Sequence, residues 1–318
     1  MQFFSKPNID FITKRKFFSV LSALIIGVGI IATFILQPRL GIDFQGGSEV
    51  AVHFGKTVEV QEIRESMDEA KVEGAEIKSF GADDQYLIRM KTTENPEQKV
   101  TNAIKSHFGD IEMKIIKVDK IGPKIGSELY SESLIAVFLA VLFMLIYIAF
   151  RFEFNFGLGA VVALIHDVLL TFSLIVIVDH LGLFNLELNQ AILAAMLTVV
   201  GYSINDTVIV FDRIRENRDV HKGMNFKKMT NMSINETLSR TVNTSLTTLL
   251  VLLVLLLFGG PVLEGFAFTM IIGIITGTYS SIFIASSFVM YYFDKFGRMG
   301  MTEDENTKKS KNKKVAKA

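Results

Sequence analysis

Four ionisable residues stand where an apolar setting makes their chemistry consequential. Asp206 lies in the run Gly201 to Arg218, directly after the largely apolar Ala191 to Val200, so the carboxylate falls inside a membrane-spanning helix. At such depth a carboxylate costs at least ~2.5–3.5 kcal/mol on insertion scales and must face protein, water or a partner. Burial favours its protonated form and a nearby cation its ionised form, so a cation that moves would switch its protonation. Arg240 lies in the next apolar run, and at 100° per residue Thr237, Arg240, Thr241, Thr244 and Thr248 form one stripe. Tyr202, Ser203 and Asp206 share a helix face, with Asn205 beside it. Consecutive spans run antiparallel, which allows Asp206 and Arg240 to meet; the guanidinium stays charged, so the carboxyl is the member that titrates. His166-Asp167, in the middle of another apolar run, adds a second carboxylate beside an imidazole. Two readings are open: buried polar groups that only hold helices together, or a proton pathway.

The elements that carry these residues follow from composition. Half of the 318 residues are hydrophobic and the formal net charge is zero, with the charges segregated by segment. That is the balance of an integral membrane protein. There is no cysteine, and neither a Gly-x-x-x-x-Gly-Lys-Ser/Thr loop nor a His-Glu-x-x-His pair. Thiolate metal sites, ATP-driven work and zinc hydrolysis are therefore not expected, nor is enzymatic activity or a bound metal.

Residues 1–16 form a basic N-terminus ending in Lys14-Arg15-Lys16, and 17–36 a retained first span. Residues 37–130 are polar and alternate between strand and helix periods. Strands are expected at Ser48–Phe54, Glu76–Phe80, Tyr86–Lys91 and Glu112–Lys120, with a turn at Gly81–Asp84. Helices are expected at Thr57–Lys71 and from Asn95-Pro96 to Phe108. The order βαββαβ predicts a ferredoxin-like α+β domain outside the cytoplasm. Five further spans fall within 131–294, at Leu134–Phe150, Phe156–Val178, Gln190–Phe211, Arg240–Phe258 and Gly265–Phe293. The fold class is thus an α-helical membrane protein of six transmembrane helices with one extracytoplasmic domain. Lys and Arg cluster before the first span, in a loop over 212–238 and in a basic tail over 295–318, which places both termini inside. In that loop Met224, Phe226 and Met229 lie among cations, the pattern of a segment on the membrane surface or of plain topogenic charge. Ser233-Ile234-Asn235-Glu236 has the form of a capping box opening the fifth span. Gly273, Gly277 and Ser281 mark a close-packing seam. Gly46-Gly47 is either a hinge to the external domain or a static tight turn. The tail is expected to be solvated. Membrane lipid is an expected partner; nucleic acid is not.

Four blocks carry a resemblance. Gly201 to Arg218 is similar to the signature of the SecF proteins of the SecD/SecF family. Gly41-Ile42-Asp43-Phe44-Gln45-Gly46-Gly47 resembles that family's Gly-Ile-Asp-Phe-x-Gly-Gly motif, and Leu238 to Thr248 and Ile165-His166-Asp167 resemble two further blocks. The resemblance covers nearly the whole chain. It implies a six-helix partner, SecD, in a small relative of the resistance-nodulation-division transporters. It implies attachment to the SecYEG translocon in a bacterial inner membrane, and a role in drawing preproteins outward with the proton gradient. It also implies that Asp206 and Arg240 belong to the proton pathway, with protons as the coupling ion and no cofactor. The expected cycle neutralises Asp206, loosens it from Arg240 and swings the external domain. Two rival readings stay open: half of a proton-coupled small-molecule exporter, and a scaffold that only stabilises the translocon.

Overall fold

A computed structural model of the chain describes residues 7–72, 75–91 and 94–296. Residues 1–6 of the basic N-terminus, and the expected basic tail beyond Phe296, lie outside the described residues.

The elements run α1 (Phe11–Leu36), α2 (Ile42–Gln45), β1 (Gly47–Phe54), α3 (Val60–Glu69), β2 (Glu76–Phe80), β3 (Ala82–Met90), α4 (Pro96–Phe108) and β4 (Met113–Ile121). Then follow α5 (Pro123–Arg151), α6 (Phe154–His180), α7 (Gln190–Val220), α8 (Phe226–Phe258) and α9 (Pro261–Ser280). A π turn (Ser281–Ala285) joins α9 to α10 (Ser286–Phe296). Among the described residues, six helical rods are long and apolar enough to cross a membrane, the last running through the π turn from Val262 to Phe293. Even the 26-residue α1 is about 39 Å long at 1.5 Å per residue, more than a hydrocarbon core of about 30 Å.

Local chemistry sets the ends. The Asp10 carboxylate accepts from Thr13 N at the start of α1, and Asn189 and Asn225 do the same for Ile192 N of α7 and Lys227 N of α8. Pro123 and Pro261 occupy first-turn positions of α5 and α9, where no backbone donor is lost.

The four strands form one antiparallel sheet in the order β2-β3-β1-β4, which with α3 and α4 on one face is the ferredoxin-like arrangement expected. Alternation along the strands separates two faces. Val50, Val52, Phe54, Ile77, Tyr86, Ile88 and Met90 pack against Ile63 and Met67 of α3 and Val100, Ala103 and Ile104 of α4. The opposite face presents Ala51, Phe80 and Leu87, with Glu49, Lys78 and Arg89 among them. Several boundaries differ from the sequence reading: α1 begins at Phe11, ahead of 17, and α5 at Pro123, ahead of Leu134 and inside the stretch expected for the external domain. Ala82 begins β3, so the turn before it is confined to Gly81, whose φ of 84° is a glycine conformation.

A larger difference lies at the other end of the bundle. The loop expected over 212–238 is helical except at 221–225, because α7 runs to Val220 and α8 starts at Phe226. Charge neutralisation between helices explains the extension. Arg213 pairs with Glu216 and Glu236, Arg215 with Asp212 and Glu153, and Arg218 with Glu153. Ser233 and Glu236 therefore lie well inside α8 and cap nothing. The Ser233 hydroxyl donates to Met229 O, and the Glu236 carboxylate accepts from Arg213 Nε and Asn217 Nδ2. Met229 is fully buried, while Met224 and Phe226 pack on the bundle core, with Phe226 4.5 Å from Phe293 between ring centres. These apolar residues serve the protein interior and not the membrane surface.

Candidate functional site

Small residues bring the polar groups together. α9 lies flush on α7 because Gly277 has no side chain: a Cβ there would stand 3.1 Å from Ser203 Cα. That approach lets three successive α9 residues reach three different targets. Thr278 Oγ1 donates to Asp206 Oδ2 at 3.4 Å, Tyr279 OH donates to Phe18 O at 2.8 Å, and Ser280 Oγ donates to Asp167 Oδ2 at 2.7 Å.

Asp167 is completely buried and fully engaged. Besides Ser280 it accepts from the Ser203 hydroxyl of α7, and His166 Nδ1 stands 2.8 Å from its other oxygen. The far nitrogen of His166 meets the Ser22 hydroxyl of α1, and Tyr279 stacks on the imidazole at 6.1 Å. One polar chain thus crosses four helices: α1, α6, α7 and α9. Ser203 is one turn from Asp206 and lines the same small cavity.

Asp206 is also buried, but its surroundings are thinner. Thr278 is its hydrogen-bond partner, and Thr278 in turn shares a 2.7 Å hydrogen bond with Ser245 of α8. The residue borders a cavity of about 20 Å³, together with Tyr202, Asn205 and Thr244. The expected ion pair with Arg240 is not formed: Arg240 lies within electrostatic range, exposed on α8, while Asp206 is held by Thr278. The reason is direction, since the Arg240 side chain points off the bundle.

The threonine stripe also divides. Thr237 and Thr241 are buried, Thr244 is exposed and Thr248 half-buried. Thr237, Thr244 and Thr248 return their hydroxyls to carbonyls of their own helix, at Ser233, Arg240 and Thr244. Such back-bonding satisfies a hydroxyl without a neighbour. Tyr202, Asn205, Arg240 and Thr244 therefore make a polar, outward-facing patch on α7 and α8, next to Asp206. Ser22, Ser245, Thr278 and Ser280 were not singled out from sequence; only the seam at Gly273, Gly277 and Ser281 pointed to that stretch of α9.

A second polar centre joins the ferredoxin-like domain to the bundle. Glu187, buried in the loop before α7, pairs with Lys78 of β2 and Arg89 of β3, and Arg89 also holds Glu49 of β1 with Nε–Oε1 of 3.0 Å. Burial pushes Glu187 up, but Arg89 and Lys78 outweigh it and hold its carboxyl below the usual range. Burial raises Glu49, with Arg89 offsetting only part of the shift. Nearby, Arg39 Nε donates to Asp179 Oδ2 at 2.7 Å, and Leu40 bridges Leu188 in parallel. Asp43, from the Gly-Ile-Asp-Phe block, accepts from Gln190 N at the first residue of α7, 3.0 Å away. Gly46 and Gly47 take φ of 73° and 128°, and a Cβ on Gly46 would stand 2.8 Å from Pro123 Cα. Among the described residues no group of three or more His, Asp or Glu is placed to hold a metal ion.

The architecture has counterparts in known proteins. The family description "Protein export membrane protein SecD/SecF, C-terminal" matches residues 99–295, and "SecD/SecF GG Motif" matches 31–58. The protein translocase subunit SecF of Rhodothermus marinus is 40% identical over 293 residues, covering 91% of this chain and 95% of that one. SecF of Thermodesulfovibrio yellowstonii is 42% identical over 296 residues, covering 91% and 96%. Among solved structures, SecDF of Thermus thermophilus, described as a translocon-associated membrane protein, superposes with a TM-score of 0.81 at 33% identity. That match covers 91% of this chain but 39% of the SecDF chain, so this chain spans well under half of that larger protein. Six membrane-crossing rods, a βαββαβ domain and likeness to SecF proteins over nine-tenths of both chains carry one assignment: the chain belongs to the SecD/SecF family of protein export membrane proteins, on its SecF side.

Proposed function

We propose that this chain is the SecF half of a two-part export machine, in which a SecD subunit completes the membrane region and a proton gradient does the work. One observation carries the proposal. Asn205, Arg240 and Thr244 face outward on membrane-crossing helices beside the buried Asp206. Polar groups turned toward lipid are costly, so this patch calls for a covering partner with polar groups of its own. The SecDF structures, one of them titled a super-membrane-facing form, hold both halves in one chain, which supports SecD as that partner.

In this reading Asp206 takes up and releases the proton, and Arg240 favours its ionised state. Thr278 and Ser245 relay the change to α8 and α9, while Asp167 and His166 form a second site reached through Ser203. One charge crossing 100 mV supplies about 2.3 kcal/mol, whereas inverting a 1:99 population needs about 5.5 kcal/mol. A second titrating group narrows that gap. The cargo is a preprotein leaving the SecYEG channel. The reaction is transport without bond-making, and protons are the only small species required.

Positive charge at Lys14, Lys16 and Lys222 to Lys228 supports an orientation in a bacterial inner membrane with both termini inside and the ferredoxin-like domain outside. The test is proton flux and export in vesicles containing this chain, SecD and the translocon. Asp206→Asn should assemble normally and abolish the gradient-dependent part of both. Full gradient-driven flux in that variant overturns the proposal.

A further inference from the structure

The ferredoxin-like domain does not hang from its two connecting strands. It is fastened to the head of α7, the helix that carries Asp206, and to the loop that leads into it. Glu187, three residues before α7, is clamped between Lys78 and Arg89. Asp43 accepts from the backbone N–H of Gln190 at the head of α7. Gly41 N donates to Leu188 O and Leu188 N donates to Arg39 O, each at 2.8 Å, so the chain leaving α1 is stitched to the chain entering α7. Arg39 is held in turn by the buried Asp179 at the end of α6. The glycines between α2 and β1 add rigidity, because Gly46 is in close backbone contact with Pro123.

A buried ion pair is weak evidence for stability but specifies one arrangement against others, because an unpaired partner left behind is penalised by several kcal/mol. Lys78, Arg89 and Glu49 lie on three adjacent strands, β2, β3 and β1, so one loop carboxylate addresses the centre of the sheet. The membrane-facing side of the sheet is therefore matched to the loop before α7, and to none of the other described loops by an ion pair.

We infer that the Lys78–Glu187–Arg89 cluster and the Asp43 cap make the external domain a rigid extension of α7, so that the domain is the output lever of the Asp206 site. This inference rests on the proton-driven reading above. It reassigns the moving joint: the domain turns with α7 as one body, and Gly46-Gly47 is a fixed corner and not a hinge. The cluster takes no part in moving protons, so breaking it should separate the two halves of the coupling.

The experiment uses the full chain with SecD and the translocon in vesicles under an imposed proton gradient. In Glu49→Gln/Lys78→Met/Glu187→Met/Arg89→Met every charge of the cluster is replaced by a neutral chain of similar length, so no buried carboxylate is left unpaired, a change that buried ion clusters tolerate well. Glu187→Gln is the milder companion should the quadruple variant fail to assemble. The expected result is proton flux near the unaltered level, with gradient-dependent export reduced at least about fivefold, the lower range of a typical coupling free energy. Spin labels at Glu62→Cys and Leu183→Cys, in a chain without native cysteine, should give one narrow distance distribution that broadens when the cluster is removed. Export unchanged in the cluster variants, or a distribution that stays narrow, overturns the lever. Flux and export lost together in an assembled complex also overturn it, by placing the cluster in the proton path. Failure of the proton reading is seen separately, as gradient-driven flux that survives Asp206→Asn.

Discussion

Ser280 Oγ donates to Asp167 Oδ2 over 2.7 Å, and that contact ties α9 to α6 through two fully buried side chains. Asp167 has three polar neighbours besides the backbone, so losing one leaves it underserved but not alone. Ser280→Ala is expected to lower stability by about 1 kcal/mol, within the range measured for hydrogen bonds between membrane helices. Asp167→Ala should cost more, since Ser203 and His166 would lose their carboxylate partner and Ser280 would keep only Gly277 O. Thermal unfolding of the purified chain in detergent measures both. Equal stability for Ser280→Ala and the unaltered chain would show that the contact contributes nothing.

Asp206 and Arg240 lie near each other without an ion pair, which sharpens the double-variant experiment. If their role were structural, removing both charges would restore what either single change costs. For a proton site, Asp206→Asn with Arg240→Met should stay as defective in gradient-driven export as Asp206→Asn alone. Rescue of export by the second change would sink the proton role.

The corner at Gly46-Gly47 yields a prediction about assembly. Positive φ costs a residue with a branched side chain of order 1–3 kcal/mol, and at Gly46 the new Cβ would also meet Pro123. Gly46→Val is expected to reduce the amount of folded protein recovered from membranes, where a flexible hinge would keep the protein intact and impair only export. Normal yield with defective export would restore the hinge.

Orientation is open to direct labelling. Asp83, on β3, and Lys222, in the short turn after α7, lie at opposite ends of the molecule's membrane-crossing rods and are solvent-facing. Cysteines placed there should react with an impermeant maleimide from opposite sides of intact cells, Asp83→Cys from outside. Reaction of both from one side contradicts the six-span arrangement.

The fold was largely legible because its signals are periodic. Val60, Ile63 and Met67 mark α3 at helical spacing, Val50, Val52 and Phe54 mark β1 at alternate positions, and long apolar runs mark the rods. What was not legible depends on partners distant in sequence. Arg213 to Arg218 looks like a solvated loop until Glu153 and Glu236 arrive from other helices to neutralise it. Glu187 is an unremarked loop carboxylate until the sheet places Lys78 and Arg89 around it. Ser280 is one hydroxyl among several near the π turn, and only the closeness of α9 to α7 selects it. For the site, the two carboxylates were identified but their company was not. Asp206 was matched with the nearest cation, while geometry gives it a threonine.

The two asparagines near the start of α8 impose an order on synthesis. Asn235 accepts from Ile9 N at 2.8 Å and donates to Ile9 O at 2.9 Å, and Asn231 receives Phe11 N at 2.9 Å, closing a link across 226 residues. A ribosome adding about 5–20 residues per second needs about 10–45 s to make that interval. Through that time the first span has been inserted, yet the backbone ahead of it has no permanent partner. The clasp therefore closes late, after α8 has emerged, whereas the contact of Ser22 in α1 with His166 in α6 can form earlier. An inserted chain truncated before α8 should leave residues 7–11 open to a protease on their own side of the membrane, and the complete chain should protect them.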